Sequence, residues 1–166
     1  MFDLINGTPL HPLVVHAIVV LLPLATLGTI AMAVRPQWRL KYGPLVVASA
    51  AIATVLIPVA TSSGEELEKR VGNPGEHAEL GDQLIFFAIP LLVLALGLVL
   101  AEWTRAKDAA GTPARYVATK NVVNVVAALA VVAALASAVQ IYRVGDSGAK
   151  KAWEDAVTPE ASSSAH

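Results

Sequence analysis

Three histidines are the residues of this chain best suited to chemistry: His11, His16 and His77. Imidazole ligates haem iron, copper or zinc, and it exchanges protons near neutral pH. Bundles often hold such a centre between two helices that each present a histidine inward. We therefore expect haem b or a metal ion at these residues, with His16 and His77 as the leading pair and His11 beside them.

The spacing of the first two histidines leaves a structural alternative open. Around a regular helix His11 and His16 are separated by about 140°, so both face one centre only if the turn at His11-Pro12 is irregular. In the alternative, His16 bonds a neighbouring backbone group, while His11 and His77 are solvated at the membrane interface. If a cofactor is bound, carboxylates are expected to orient the rings, as they do for metal-bound histidines. The candidates for that role are Glu65, Asp82 and Asp146.

Several classes of function find no support in the rest of the sequence. It contains no phosphate-binding loop, dinucleotide fingerprint or nucleophile elbow, so enzymatic activity is not favoured. Cysteine is absent, which removes thiolate metal sites, iron–sulfur clusters and covalently attached haem. The net charge of −1 provides no basic face for a nucleic acid.

Four long apolar segments must position the histidines, over about residues 12–34, 44–62, 83–103 and 121–142. A helix needs roughly 20 predominantly apolar residues to cross the hydrocarbon core of a bilayer. None of the segments has the polar stripe that a soluble bundle would require. The sequence therefore predicts an all-α polytopic membrane protein whose four transmembrane helices form an antiparallel bundle.

The segments between and after the spans predict two shorter elements. Ser62 to Glu66 is expected to start a short outer helix, because acidic residues suit a first turn. Gly145 to Gly148 predicts a turn, followed by a short interfacial helix over about 148–156 that is anchored by Trp153. Residues 158–166 are small and polar and predict a disordered tail. On this interpretation residues 1–157 form one transmembrane domain.

The loop charges predict an orientation. The first loop holds Arg35, Arg39 and Lys41 without an acid, the third loop is also basic, and the second is rich in Glu. The positive-inside rule places basic loops in the cytoplasm. We therefore expect a multi-pass protein of the bacterial inner membrane with both termini outside the cytoplasm.

Four stretches of the chain resemble one family. They are His11-Pro12-Leu13-Val14-Val15-His16, Gly64 to Glu68, Glu76 to Gly81, and Tyr142 to Lys150 with Trp153. Together they resemble the bacterial predicted membrane proteins known as domain of unknown function 2231, from about residue 8 to residue 154. The resemblance implies a four-span domain without an established activity. Relatives fused to c-type cytochrome or Rieske-like modules imply a link to membrane redox chemistry.

The resemblance also bears on the site. It implies His11, His16 and His77 as candidate ligands. Many relatives have histidine at the position of Asp146, and a carboxylate there weakens the case for haem more than that for a metal ion.

Two functions are consistent with this sequence. The first is a redox-associated module that holds haem or a metal ion near the outer face. The alternative is a non-catalytic accessory subunit of a larger, respiratory-type membrane complex, or a homo-oligomer, with lipid around it. A small-solute transporter is less favoured, because no charged pathway crosses the spans.

Overall fold

Four long helices build the protein, and the computed structural model describes residues 4–5, 8–71, 75–111 and 118–157. Two short strands, β1 (Leu4–Ile5) and β2 (Thr8–Pro9), pair antiparallel ahead of the first helix. The helices are α1 (Leu10–Val34), α2 (Trp38–Val71), α3 (Glu76–Ala109) and α4 (Lys120–Val157). All four are long and apolar enough to cross a membrane, which confirms the predicted number of spans.

The helices pack as a ring of antiparallel neighbours. Helix α1 packs along α2, α2 along α3 and α3 along α4, and α4 returns to α1, while α1 and α3 touch only sparsely across the bundle. Helices α1 and α3 therefore begin at the same end. We call this the histidine end, and we call the opposite end, which carries the α1–α2 connection at residues 35–37, the arginine end.

The outer surface of the bundle is apolar over most of its length. Large hydrophobic side chains stand exposed on every helix, including Val20 (65 %), Val55 (66 %), Phe86 (72 %) and Val132 (64 %). In water such a continuous surface would cause association, whereas lipid solvates it. The exposed faces therefore fit a helix bundle in contact with lipid.

The core of the bundle has the same register in α1 and α3. In both helices the third, seventh, eleventh and fourteenth residues after the first-turn histidine are buried. In α1 these are Val14, Ile18, Leu22 and Ala25, and in α3 they are Leu80, Leu84, Ala88 and Leu91. Since the two helices begin at the same end, His11 and His77 start equivalent faces of the bundle.

Two expected breaks in the helices are absent. Helix α2 continues through Ser62 to Glu66, so the predicted short outer helix is not a separate element. Helix α4 continues through Gly145 to Gly148, so the predicted turn is wrong and the segment 148–156 is the last part of α4. The predicted disordered tail lies outside the described residues. The first expectation rested on acidic residues suited to a first turn and the second on the turn-like composition of residues 145–148. In the structure, glycines of both segments lie inside continuous helices and pack against histidine rings.

The arginine end is held by one buried side chain that the loop-charge argument treated as exposed. Arg39 is 3 % exposed. Its Nε donates to the carbonyl of Met32 (3.0 Å), its Nη2 to that of Ala33 (3.4 Å), and its Nη1 to Glu102 (3.2 Å). The carbonyls in the last turn of a helix lack partners within the helix. Arg39 therefore caps α1 and ties it to α3.

Candidate functional site

The first ring at the histidine end belongs to His11, in the first turn of α1. Its Nδ1 lies 2.9 Å from the carbonyl oxygen of Ala60 and 3.3 Å from Oγ of Ser63, both on α2. Ser63 Oγ in turn donates to the same carbonyl at 3.0 Å. The ring also packs on Gly64. We call this contact the first histidine clamp: His11, Ala60, Ser63 and Gly64.

The second ring repeats the arrangement between α3 and α4. Nδ1 of His77 lies 3.2 Å from the carbonyl oxygen of Val144 and 3.1 Å from Oγ of Ser147. Ser147 Oγ donates to that carbonyl at 2.9 Å, and the ring packs on Gly148. These four residues form the second histidine clamp. Each helical hairpin thus carries the same contact at the same end of the bundle.

The partners of each ring fix where its proton sits. A carbonyl oxygen can only accept a hydrogen bond, so Nδ1 of each histidine must carry the proton. The serine hydroxyl gives its own hydrogen to the carbonyl and can therefore accept from Nδ1 as well. In the neutral ring, Nε2 is then the nitrogen that keeps a free lone pair. An imidazole nitrogen with a free lone pair is the donor that metal ions and haem iron take.

Glycine makes both clamps possible. A Cβ on residue 64 would lie 3.1 Å from Cε1 of His11, and a Cβ on residue 148 would lie 3.0 Å from Cε1 of His77. Both distances are shorter than ordinary carbon contacts. Glycine within a helix costs roughly 0.5–1 kcal/mol relative to alanine. The glycines in α2 and α4 leave room for an imidazole and do not end their helices.

His16 occupies a different environment from the clamped histidines. Helix α1 begins at Leu10, so Pro12 lies within the helix. The side chain of His16 is exposed, and its Nδ1 lies 2.6 Å from the carbonyl oxygen of Pro12 in its own helix. His11 contacts α2, whereas His16 is exposed. This difference is expected, because residues five apart on a regular helix lie about 140° from each other around its axis. The structure therefore does not bring these two rings to one centre.

The three carboxylates that were expected to orient the rings do not contact the Nδ1 atoms of His11 and His77. Asp146 pairs with Lys150 at 2.7 Å within α4, and Glu65 and Asp82 are exposed. The Nδ1 atoms contact serines and carbonyls instead. Across the part of the chain that the structure describes, no group of three or more His, Cys, Asp or Glu is placed to hold a metal ion.

Two further polar side chains tie the second hairpin together below its clamp. Gln140, buried to 1 % exposure, donates from Nε2 to the carbonyl of Leu80 at 2.9 Å. Ser137 donates to the carbonyl of Phe87 at 3.2 Å. Hydrogen bonds between helices stabilise packing in lipid. The sequence reasoning missed Gln140, which its position in a charge-free span could have revealed.

The family comparison agrees with the architecture of a membrane protein. The chain matches the family described as "Predicted membrane protein (DUF2231)" over residues 7–161. It belongs to that family. The matched range includes all four helices and both clamps of this DUF2231 protein, in accord with the resemblance noted from the sequence. No curated protein and no solved structure matches the chain.

Proposed function

We propose that this DUF2231 protein is a redox-associated membrane module that binds haem b through Nε2 of His11 and His77. The observation that carries the proposal is the repeated clamp. Each ring donates its Nδ1 proton to the neighbouring helix, so Nε2 keeps its lone pair. A hydrogen bond to the far nitrogen is how metal-binding histidines are commonly oriented.

The donor set favours haem over a bare metal ion. A structural zinc site needs four protein ligands and a catalytic one needs three, whereas haem iron takes at most two from the protein because the porphyrin supplies four. The two imidazoles at the histidine end of the bundle match this number of protein ligands. Because the chain has no cysteine, the haem would be held without covalent attachment. Haem in such a site supplies reversible one-electron exchange at iron.

In the proposed site the serines of the clamps orient the rings, and the core of the bundle begins just below them. Ser63 and Ser147 hold the rings in one tautomer and one orientation. Val14 and Leu80, three residues beyond the histidines, are buried at 8 % and 4 % exposure and begin the apolar core of the bundle. His16 is exposed and is assigned no ligand role. In this proposal His11, and not His16, is the partner of His77.

A second candidate rests on the same contacts. The clamps join α1 to α2 and α3 to α4, which is also what purely structural histidines would do. The chain would then be a non-catalytic accessory subunit, in contact with a larger membrane complex or with a second copy of itself. A protein that binds neither haem nor metal would support this candidate.

We also propose that the protein lies in the bacterial inner membrane with the histidine end outside the cytoplasm. Arg35 and Lys41 are exposed at the arginine end, whereas the exposed residues where α3 begins include Glu76 and Glu79. Basic residues favour the cytoplasmic side. A cofactor at the clamps would therefore be closest to electron donors or acceptors outside the cytoplasm.

The experiment that separates the two candidates is an absorption spectrum with metal analysis. The full-length protein is produced with an ample haem supply and purified in detergent, and its Soret band and bound metals are measured. We expect about one haem per chain and no stoichiometric zinc or copper. Protein that remains colourless and metal-free after incubation with haem would overturn the proposal and favour the accessory subunit.

A further inference from the structure

An open apolar groove lies between α1 and α2 toward the arginine end. It encloses about 280 Å³. The residues that line it include Leu24, Ala31 and Met32 from α1 and Trp38, Tyr42 and Leu45 from α2. Leu24 and Leu45 are 47 % and 61 % exposed, so the groove opens to the lipid side of the bundle. At the bottom of the groove α1 and α2 are closely packed, since a Cβ on Gly28 would lie 2.5 Å from a side-chain carbon of Val46.

Two exposed cations stand at the mouth of the groove. The guanidinium carbon of Arg35 lies 5.0 Å from the ring centre of Trp38, and Nζ of Lys41 lies 5.1 Å from that of Tyr42. The two rings meet edge to face at 5.6 Å. Among the residues that the structure describes, neither cation has an acidic partner. A ring face leaves the donors of a cation free for an anion.

The neighbouring Arg39 differs from these two cations in its hydrogen-bond partners. Each nitrogen of its buried guanidinium donates a hydrogen bond, either to Glu102 or to one of two carbonyls of α1. Arg35 and Lys41 have no such engagement, although they lie within one helical turn of the same connection. Their charge is therefore available to a group outside the chain.

We propose that this groove binds one anionic phospholipid, with an acyl chain along the apolar walls and the phosphate at Arg35 and Lys41. An apolar wall alone would accept the chain of any lipid. The paired cations add a preference for negative charge, because basic residues at a membrane surface contribute about 1 kcal/mol each toward anionic lipid. The site is independent of the histidine clamps and lies at the opposite end of the bundle.

The test uses the fluorescence of Trp38 in the full-length protein. Trp103→Phe and Trp153→Phe, both at exposed positions, leave Trp38 as the only tryptophan. The protein is reconstituted in phosphatidylcholine vesicles that contain a small fraction of brominated phosphatidylglycerol or of brominated phosphatidylcholine. Bromine quenches tryptophan on contact. We expect the anionic lipid to occupy the groove with about thirtyfold selectivity over the zwitterionic one, since two cations contribute about 2 kcal/mol.

Three variants separate the contribution of the two cations from that of the apolar groove. The double variant Arg35→Gln, Lys41→Gln should remove the selectivity for anionic lipid. The double variant Arg105→Gln, Lys107→Gln is the control and should keep it, because it removes the same charge from α3 at the arginine end of the bundle. Ala31→Leu narrows the groove and should reduce quenching by both lipids while leaving the cations in place. Equal quenching by both lipids, equal loss in both double variants, or no effect of Ala31→Leu would overturn the proposal.

Discussion

The imidazole of His77 lies where a side chain on residue 148 would otherwise be, since a Cβ on Gly148 would meet Cε1 of His77 at 3.0 Å. His11 stands in the same relationship to Gly64 in the other hairpin. The two hairpins thus use one device twice: a first-turn histidine seated on a glycine of the next helix and held by a serine and a carbonyl.

Substitution of a clamp glycine tests whether a histidine ring packs on it. Alanine in place of glycine within a helix is ordinarily worth roughly 0.5–1 kcal/mol of added stability. We expect Gly148→Ala to lose that gain because the new methyl group displaces the ring of His77. Gly145→Ala is the matched control, since a Cβ there meets nothing within 4 Å. Thermal unfolding in detergent measures both, and an equal rise in the two midpoints would contradict the clamp.

The serines provide a second test, this time of ring orientation. Ser63→Ala removes one of the two acceptors of Nδ1 of His11. Loss of such an orienting contact typically weakens metal affinity about 10–100-fold, so haem affinity should fall by a factor in this range. Ser62→Ala is the control, because that hydroxyl donates to the carbonyl of Pro58 in its own helix. Haem titration followed by absorbance gives both affinities, and equal values would argue against a role for Ser63.

The spans were predictable because their signal is local. A charge-free apolar run of bilayer length allows little besides a membrane helix. The ends of the helices were not predictable in the same way. Ser62 to Glu66 has the composition of a helix start and Gly145 to Gly148 that of a turn, yet both segments lie inside continuous helices whose glycines pack against histidine rings.

The candidate site was predictable in part. The sequence drew attention to three histidines, but which of them contacts a neighbouring helix depends on the face of α1 that each ring occupies, and His16 is exposed. The repeat was hidden because the separation between histidine and serine is 52 residues in the first clamp and 70 in the second. No fixed sequence period relates the two halves.

The buried cation at the arginine end supports a third prediction. Arg39→Met leaves Glu102, whose side chain is 24 % exposed, without its partner and uncaps Met32 and Ala33. Loss of hydrogen bonds to charged groups of this kind costs about 1.5–3 kcal/mol. Arg35→Met, at an exposed position of the same connection, should change stability by about 0.5 kcal/mol or less. Unfolding in mixed micelles measures both free energies. Similar values for the two variants would show that Arg39 is not a structural tie.

The orientation is tested at the two ends of a single helix. Helix α3 runs from Glu76 to Ala109, about 50 Å, and the chain has no native cysteine to interfere. With the histidine end outside, Glu76→Cys should react with a membrane-impermeant maleimide in intact cells, and Ala109→Cys only after lysis. The reverse pattern would invert the topology.

The most direct measurement of the central claim is the haem spectrum of three matched histidine variants. Wild-type protein should show a six-coordinate, low-spin haem, because two imidazoles would occupy the axial positions. His11→Ala and His77→Ala should each lose the haem or convert it to a five-coordinate, high-spin form, while His16→Ala should keep the wild-type spectrum. A wild-type spectrum in the His11 or His77 variant, or its loss in the His16 variant alone, would contradict the account.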